Sequence, residues 1–243
     1  MPRPKPAQPP IRRSTPPPKS HYSDYIEDLR RDFYNSCAYC TVMEREAGGV
    51  GLTIDHYIPR SVPAGKCLAH SYANLILACA DCNRFKSDYY PNDTQRERGL
   101  FVIRPDEMVP NDHLEIDDDD LPMLQGKTPT GEFNIEKLDL NRPGLKKLRR
   151  NRLRLDGYRQ FVQEGIRALR SVAIDRLGRR QRAKFIKLRN EVLRTAEDSD
   201  KDFDELISNF ARSSLRPVDP DKKARARARK RRLEKLQGDP EGR

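Results

Sequence analysis

Apolar residues recur at helical spacing through the C-terminal half of the chain. The first such stretch covers residues 145–172, a second covers 180–195, and a third covers 203–210. Basic and other polar residues fill the remaining faces, so the pattern predicts three amphipathic helices. The apolar positions of the first stretch are Leu145, Leu148, Leu155, Tyr158, Val162, Leu169 and Val172.

The rest of the chain divides into three further segments. Residues 21–141 mix short strand-like runs, Gly/Pro turns and clustered cysteines, which predicts a compact α+β domain. Residues 1–20 contain eight prolines and predict a disordered or polyproline II arm. The basic run at 222–232 is typical of a solvated segment, so residues 216–243 are predicted to form a disordered basic tail. The α-helical region then covers residues 142–215.

Composition narrows the class of protein. Only 35% of the 243 residues are hydrophobic and none is Trp, which leaves a thin core for a chain of this length. The sequence has no apolar run long enough to cross a membrane and no apolar N-terminal stretch typical of a signal peptide. We therefore expect a cytoplasmic protein, in which its five cysteines act as metal ligands or free thiols rather than disulfides.

The net charge of +11 conceals a strong partition along the chain. Residues 21–141 hold 12 basic and 22 acidic residues, a net charge of −10. Residues 142–190 hold 17 basic and 3 acidic residues, a net charge of +14. The positive charge therefore belongs to the helical region and the two ends. A polyanion such as nucleic acid is the partner that this charge suggests.

Four of the cysteines form two closely spaced pairs, Cys37-x-x-Cys40 and Cys79-x-x-Cys82. Each pair can hold a metal ion on a tight turn, and four thiolates complete the tetrahedral shell of a structural zinc. One such pair alone would also fit a redox dithiol. Two pairs in a domain with few hydrophobic residues predict a zinc site, and Cys67 is left as a spare thiol.

Between the pairs lies a second group of residues with possible chemistry. The run around residues 53–58 predicts a short strand that carries Asp55 and His56, and Asn83 follows the last cysteine directly. The carboxylate and amide oxygens of Asp55 and Asn83 suit Mg²⁺ or Mn²⁺. A neutral His56 beside that ion is suited to deprotonate a water molecule.

The combination Cys-x2-Cys, Asp-His-x2-Pro, Asn-Leu and Cys-x2-Cys-Asn-x2-Lys resembles the HNH endonuclease family. The resemblance implies a zinc-stabilised ββα-metal finger within an α+β domain. It implies Asp55 as a metal ligand and His56 as the general base. It also implies Asn74 as the residue that fixes the loop orienting His56. Asn83 stands where many members have His, and in this variant it would ligate Mg²⁺ or Mn²⁺.

The similarity extends beyond the finger. The segment with His113-Leu114-Glu115, Thr130-Gly131 and Leu140-Asn141-Arg142-Pro143 resembles an extension of bacterial HNH proteins from phage-defence loci, including nucleases paired with an ATPase. The basic helices beyond it have two interpretations. Either they bind the phosphate backbone of nucleic acid, or they dock an ATPase or a second copy of the chain while the N-terminal arm and the basic tail bind nucleic acid.

The sequence thus predicts a metal-dependent endonuclease, with DNA favoured over RNA as its substrate. Arg84 and Lys86, which follow Asn83, are candidate phosphate contacts, although two plain solvated charges would look the same. The alternative function is a zinc-stabilised nucleic-acid-binding or adaptor module without catalysis. Asp55, His56 and Asn83 favour the endonuclease over the module, because a fold that needs only zinc for stability does not require these residues.

Overall fold

A computed structural model describes residues 11–47, 51–117, 122–173, 177–195 and 219–238. No helix in these ranges is long and apolar enough to cross a membrane. The strands are β1 (Thr53–His56), β2 (Leu75–Ala78), β3 (Leu114–Ile116) and β4 (Leu124–Gly126). The α-helices are α1 (Ile26–Asp32), α2 (Pro63–Cys67), α3 (Ala80–Lys86), α4 (Asp93–Glu97), α5 (Pro129–Lys137), α6 (Pro143–Ser171), α7 (179–195) and α8 (Lys222–Gln237). Short 3-10 helices cover Tyr22–Tyr25, Tyr72–Asn74 and Pro110–Asp112.

The centre of the fold is a two-stranded antiparallel sheet followed by a helix. Strands β1 and β2 pair with Thr53 opposite Ala78 and His56 opposite Leu75. Helix α3 begins directly after β2 and packs against β1. We call β1, β2 and α3 the finger. Together with the helices and the second hairpin of β3 and β4, it confirms the predicted α+β class.

The hydrophobic core surrounds the finger. All four residues of β2 are buried, and α1 covers this strand with Leu29 and Phe33. Helix α5 packs on β4, and the start of α6 adds Leu145 and Leu148 to the same core. The segment that follows the finger, from β3 to the start of α6, therefore shares one hydrophobic core with it.

The loop between β1 and β2 includes helix α2, which packs tightly against the chain that leaves β1. A Cβ atom at Gly65 would lie 2.0 Å from the backbone oxygen of Pro59, so glycine is required for this approach. The close packing holds the end of α2, and the residues after it, near the end of β1.

Helix α6 extends well beyond this core. Its side chains Tyr158 and Phe161 are 60% and 76% exposed. The two helices predicted for 145–172 and 180–195 are present as α6 and α7. The third, predicted for 203–210, lies outside the described residues.

In the predicted N-terminal arm, residues 11–20 form no helix or strand and contact the folded domain. The Arg13 guanidinium donates to the Leu75 carbonyl oxygen at 2.7 Å and stacks on the Tyr72 ring, 4.5 Å from its centroid. The backbone amide of Ser14 donates to the Asp32 carboxylate at 2.7 Å. These partners are buried or half-buried, so the arm gains contacts that its proline content alone did not indicate.

Within the predicted C-terminal tail, residues 222–237 form helix α8. This helix packs against α5, and its Leu233 and Leu236 side chains are partly buried against the core. Two apolar residues among nine basic ones gave too weak a periodic signal for the sequence to predict an amphipathic helix. The docking depends mainly on arginine side chains that meet acceptors on α5.

Candidate functional site

The four paired cysteines converge on one point. The Sγ atoms of Cys37, Cys40, Cys79 and Cys82 all lie within 4.8 Å of one another. A turn closed by a hydrogen bond from the Thr41 amide to the Cys37 carbonyl oxygen presents the first pair. The second pair lies at the start of α3, where the Cys79 sulfur accepts from the Cys82 amide. We call these residues the cysteine cluster.

The geometry of the cysteine cluster fits zinc. Tetrahedral Zn²⁺, with bonds of about 2.3 Å, separates its sulfur ligands by roughly 3.8 Å. The Cys40 and Cys79 sulfurs are 3.7 Å apart. Hydrogen bonds from the neighbouring thiols, Cys37 foremost, hold the pKa of Cys40 well below its ordinary value, whereas burial raises the pKa of Cys37 well above its own. A closed four-sulfur shell leaves no position for a reactive water, so such a zinc is structural.

A half-buried arginine caps the cluster from outside. Arg142, which immediately precedes α6, directs its guanidinium to the sulfurs of Cys40, Cys79 and Cys82 at 3.7–3.8 Å. Burial alone would lower the pKa of Arg142, but these sulfurs hold it above its ordinary value. Since zinc with four thiolates carries a net charge of about −2, the guanidinium offsets part of that charge.

We expect Arg142→Ala to weaken zinc retention by about 10–100-fold, the usual effect of removing an outer partner of a metal ligand. The measurement is competition with a chromogenic chelator, supported by the thiolate charge-transfer spectrum of the Co²⁺-substituted protein. Arg149→Ala is the matched control, because this neighbouring half-buried arginine bonds to the Pro122 and Leu140 carbonyl oxygens. Equal zinc retention in Arg142→Ala and wild type would contradict the role of Arg142.

His56, the predicted general base, ends β1 and has a defined ring orientation. Its Nε2 atom lies 2.9 Å from the Ala69 carbonyl oxygen. A carbonyl can only accept, so Nε2 carries the proton and Nδ1 keeps the free lone pair of the neutral ring. Burial lowers the pKa of His56, an effect that the Ala69 bond partly offsets. The ring also meets Tyr22 edge to face, with centroids 4.8 Å apart.

The side chain of Asp55, the predicted metal ligand, lies on the face of β1 opposite to that of His56, because successive side chains along a strand alternate between its two faces. Its carboxylate is buried and accepts from the Tyr39 hydroxyl at 2.5 Å and from the Lys86 ammonium at 3.1 Å. Lys86 also donates to the His56 carbonyl oxygen at 2.8 Å. Burial raises the pKa of Asp55, and Lys86 partly offsets this. The carboxylate therefore already holds one cation, the Lys86 ammonium.

Asn83 lies on α3, one turn before Lys86, and faces the same strand. Its side-chain amide donates to the Thr53 hydroxyl at 3.2 Å. Thr53 and Asp55 share one face of β1 because they are two residues apart. The structure thus brings Asn83 to the face that carries Asp55, while His56 contacts residues on the opposite side. The oxygens of Asp55 and Asn83 are of the type that a hard divalent ion prefers.

Asn74 lies just before β2 and is buried beneath the chain that leaves β1. Its side chain accepts from the Ile58 amide at 2.8 Å and donates to the Ile58 carbonyl oxygen at 3.1 Å. Its backbone carbonyl accepts from the Tyr57 amide at 2.9 Å. Asn74 therefore holds the two residues that follow His56.

The two candidate phosphate contacts differ sharply. The Lys86 side chain is 1% exposed and paired with Asp55, so the prediction that it touches phosphate is wrong for this structure. Lysine is normally a surface residue, and here only the buried carboxylate of Asp55 makes its burial tolerable. Arg84 is 64% exposed and bonds to Asp81 one turn earlier.

Three residues of the site were missed in the sequence. Tyr39 lies inside the first cysteine pair, and nothing in its spacing indicates the bond to Asp55. Tyr22 reaches His56 from the start of the predicted α+β domain, where no motif indicates this contact. Arg142 belongs to the Asn-Arg-Pro part of the extension, but its contact with the cysteine cluster depends on how α6 docks.

Comparison with known proteins agrees with this architecture. Residues 37–88, which include the finger and the cysteine cluster, match the family model described as HNH endonuclease. The recognition of this family in the sequence is thereby confirmed, and the match supports nuclease ancestry for the segment.

Two similar proteins come from Bacillus mycoides (strain KBAB4). Septu protein PtuB is 22% identical over 223 residues, which cover 80% of this chain and 67% of that protein. Septu protein PtuA is 28% identical over 144 residues, which cover 50% of this chain but only 20% of that protein. This chain therefore spans about a fifth of PtuA. No solved structure matches the chain significantly.

Proposed function

We propose that this chain is a metal-dependent endonuclease that hydrolyses phosphodiester bonds, with DNA favoured over RNA. The observation that carries the proposal is the orientation of His56 within an HNH finger. Its Nε2–H is held by the Ala69 carbonyl, and burial lowers its pKa, which favours the neutral ring. A neutral imidazole with a free Nδ1 is the form that a general base requires.

In the proposed reaction, Nδ1 of His56 accepts a proton from the water that attacks phosphorus. The bond from phosphorus to the 3′ oxygen breaks, and that oxygen takes a proton from solvent. Asn74 keeps the chain after His56 in place, and the Ala69 carbonyl prevents the ring from turning. Asp55 and Asn83 would hold Mg²⁺ or Mn²⁺, which supplies charge stabilisation at the phosphate and the departing oxygen.

The Asp55–Lys86 pair favours a second candidate function. A module that only binds nucleic acid or a partner protein needs no open carboxylate, and this carboxylate is buried and paired. In a nuclease, the divalent ion must share Asp55 with Lys86 or displace its ammonium. Each carboxylate oxygen has two acceptor positions, so sharing is chemically possible.

A role in bacterial phage defence is also proposed. The extension from His113 to Pro143 resembles that of HNH proteins from defence loci, and the similarity to two Septu proteins supports this assignment. We infer that the chain acts with a partner, either an ATPase or a second copy. The exposed apolar side chains of Tyr158 and Phe161 on α6 are consistent with such docking.

A cleavage assay tests the proposed activity. We expect plasmid, single-stranded DNA or tRNA to be cut when Mg²⁺ or Mn²⁺ is added and to remain intact without an added divalent ion. The zinc content is measured before and after, so that the added ion is not confused with the structural one. The assay uses the chain alone and with any protein that co-purifies with it. Intact substrates under all of these conditions would favour the binding module.

A further inference from the structure

Helix α8 has two basic faces with different environments. Nine of its sixteen residues are Lys or Arg, and Glu234 is its one acidic residue. Arg225, Arg229 and Arg232 recur at helical spacing and face the protein together with the two leucines. The remaining six basic residues are exposed: Lys222, Lys223, Arg227, Lys230, Arg231 and Lys235. We call these six the outer face of α8.

The inward arginines make the contacts that dock the helix. Arg225 forms a bidentate pair with the Asp139 carboxylate at 2.6 and 2.9 Å. Arg232 bonds to the Glu136 carboxylate at 2.7 Å. Arg229 donates to the backbone oxygens at the end of α5 at 3.1 Å. Three of the positive charges are thus used for docking.

The outer face lacks comparable partners among the described residues. The ion pair recorded for it joins Lys230 to Glu234, at 3.8 Å and fully on the surface. Lys223, Arg227 and Arg231 follow one another at four-residue intervals, a spacing at which like charges destabilise a helix. A row of this kind is stabilised by a ligand with regularly spaced negative charges, and a phosphate backbone provides them.

The position of α8 places this row beside the finger. The Arg229 guanidinium stacks on the Phe85 ring at 4.4 Å from its centroid. Phe85 belongs to α3, between exposed Arg84 and buried Lys86 and two residues after Asn83. The Arg98 guanidinium fixes the far end of α8 by donating to the Gly238 carbonyl oxygen at 2.7 Å. Helix α8 therefore lies beside α3 of the finger, with its inward face against Phe85.

We propose that the outer face of α8 binds the phosphate backbone of nucleic acid and holds it against the finger. This resolves a charge problem, because residues 21–141 carry a net charge of −10 and would by themselves repel such a substrate. By contrast, several arginines at and just before the start of α6 have internal partners: Arg152 bonds to the buried Glu46 carboxylate, and Arg142 caps the cysteine cluster. The proposal rests on the proposed function and names its substrate-binding surface.

The test measures the binding of a short duplex DNA at salt concentrations from about 50 to 200 mM, in a His56→Ala background that prevents cleavage. The variant replaces Lys223, Arg227, Lys230 and Arg231 with glutamine, which preserves helix propensity. We expect its affinity to fall at least tenfold. The slope of log K against log salt should decrease by about 0.9 for each lost phosphate contact. A single-stranded RNA of equal length shows whether the surface distinguishes the two polymers.

Two further variants make the result decisive. The matched control removes the same number of exposed charges from α6 and α7, by replacing Arg154, Arg167, Arg170 and Lys184 with glutamine. A charge-preserving variant, Lys223→Arg with Lys230→Arg, is expected to bind normally. Loss of binding in the α6–α7 variant but not in the α8 variant would overturn the proposal.

The proposal and the nuclease function fail in different ways. Unchanged binding by the correctly folded α8 variant, with metal-dependent cleavage still present in the protein with His56, refutes the surface and leaves the function. Salt-sensitive binding through α8, with no cleavage under any condition, supports the surface and refutes the nuclease. Zinc content and circular dichroism establish that the variant is folded.

Discussion

We expect His56→Ala to lower the rate of phosphodiester cleavage by about 10²–10⁴-fold, the usual loss when a general base is removed. The reason is that Nδ1 of His56 is the acceptor for the proton of the attacking water, and alanine offers none. The zinc content and nucleic-acid affinity should remain, because the ring bonds to the Ala69 carbonyl and contacts neither the cysteine cluster nor α8. Single-turnover cleavage of a labelled substrate measures the rate.

His70→Ala is the matched control for this variant. His70 is exposed, and its ring belongs to the same aromatic group, 6.4 Å from the Tyr22 ring. It should keep full activity, and a comparable loss in both variants would indicate disturbance of the local structure instead of loss of a base. Full activity in His56→Ala would remove His56 from the mechanism altogether.

The pH dependence of the rate follows from the same histidine. The base must be neutral, so the rate rises as the pH passes upward through the pKa of His56. Burial is the largest influence on this pKa, and it lowers the pKa from the ordinary value of 6.5. The midpoint of the rising limb should therefore lie below pH 6.5, and the rate should fall as the pH is lowered through it.

Local spacing made the cysteine cluster and the finger predictable from the sequence. Each Cys-x-x-Cys pair fixes its own turn, and zinc chemistry requires the two pairs to meet, whatever the rest of the fold does. The strand with His56 and the helix with Asn83 follow from the same argument. By contrast, the ion pair of Lys86 with Asp55 joins residues 31 positions apart, and only the packing of α3 on β1 decides it.

Basic residues were the least predictable part of the chain, because one residue type serves three roles. Arg142 faces sulfur, Arg225 docks a helix on Asp139, and Arg227 is exposed. All three look alike in a sequence with 48 Lys and Arg. Tertiary contact alone separates these three roles. The net charge predicted a polyanionic partner, and the proposed surface on α8 is where we infer that such a partner is held.

Loss of one zinc ligand should have a larger effect on the folded state than any other single substitution considered. We expect Cys82→Ser to lose its zinc and to unfold the finger, because Cys82 is fully buried and lies on α3 with Asn83. Structural zinc contributes about 10–16 kcal/mol of apparent binding energy in small zinc domains, more than most domains have in total stability. Zinc content, the rate of proteolysis and near-ultraviolet circular dichroism measure the outcome.

Cys67→Ser is the matched control, because Cys67 is exposed at the end of α2 and is not part of the cysteine cluster. It should keep both zinc and stability. The comparison also separates two origins of stability in the finger. If Cys82→Ser loses zinc but keeps its near-ultraviolet spectrum and protease resistance, the core around β2 suffices without the metal. Cleavage activity in such a variant would further show that the orientation of His56 depends on Asn74 and Ala69 rather than on zinc.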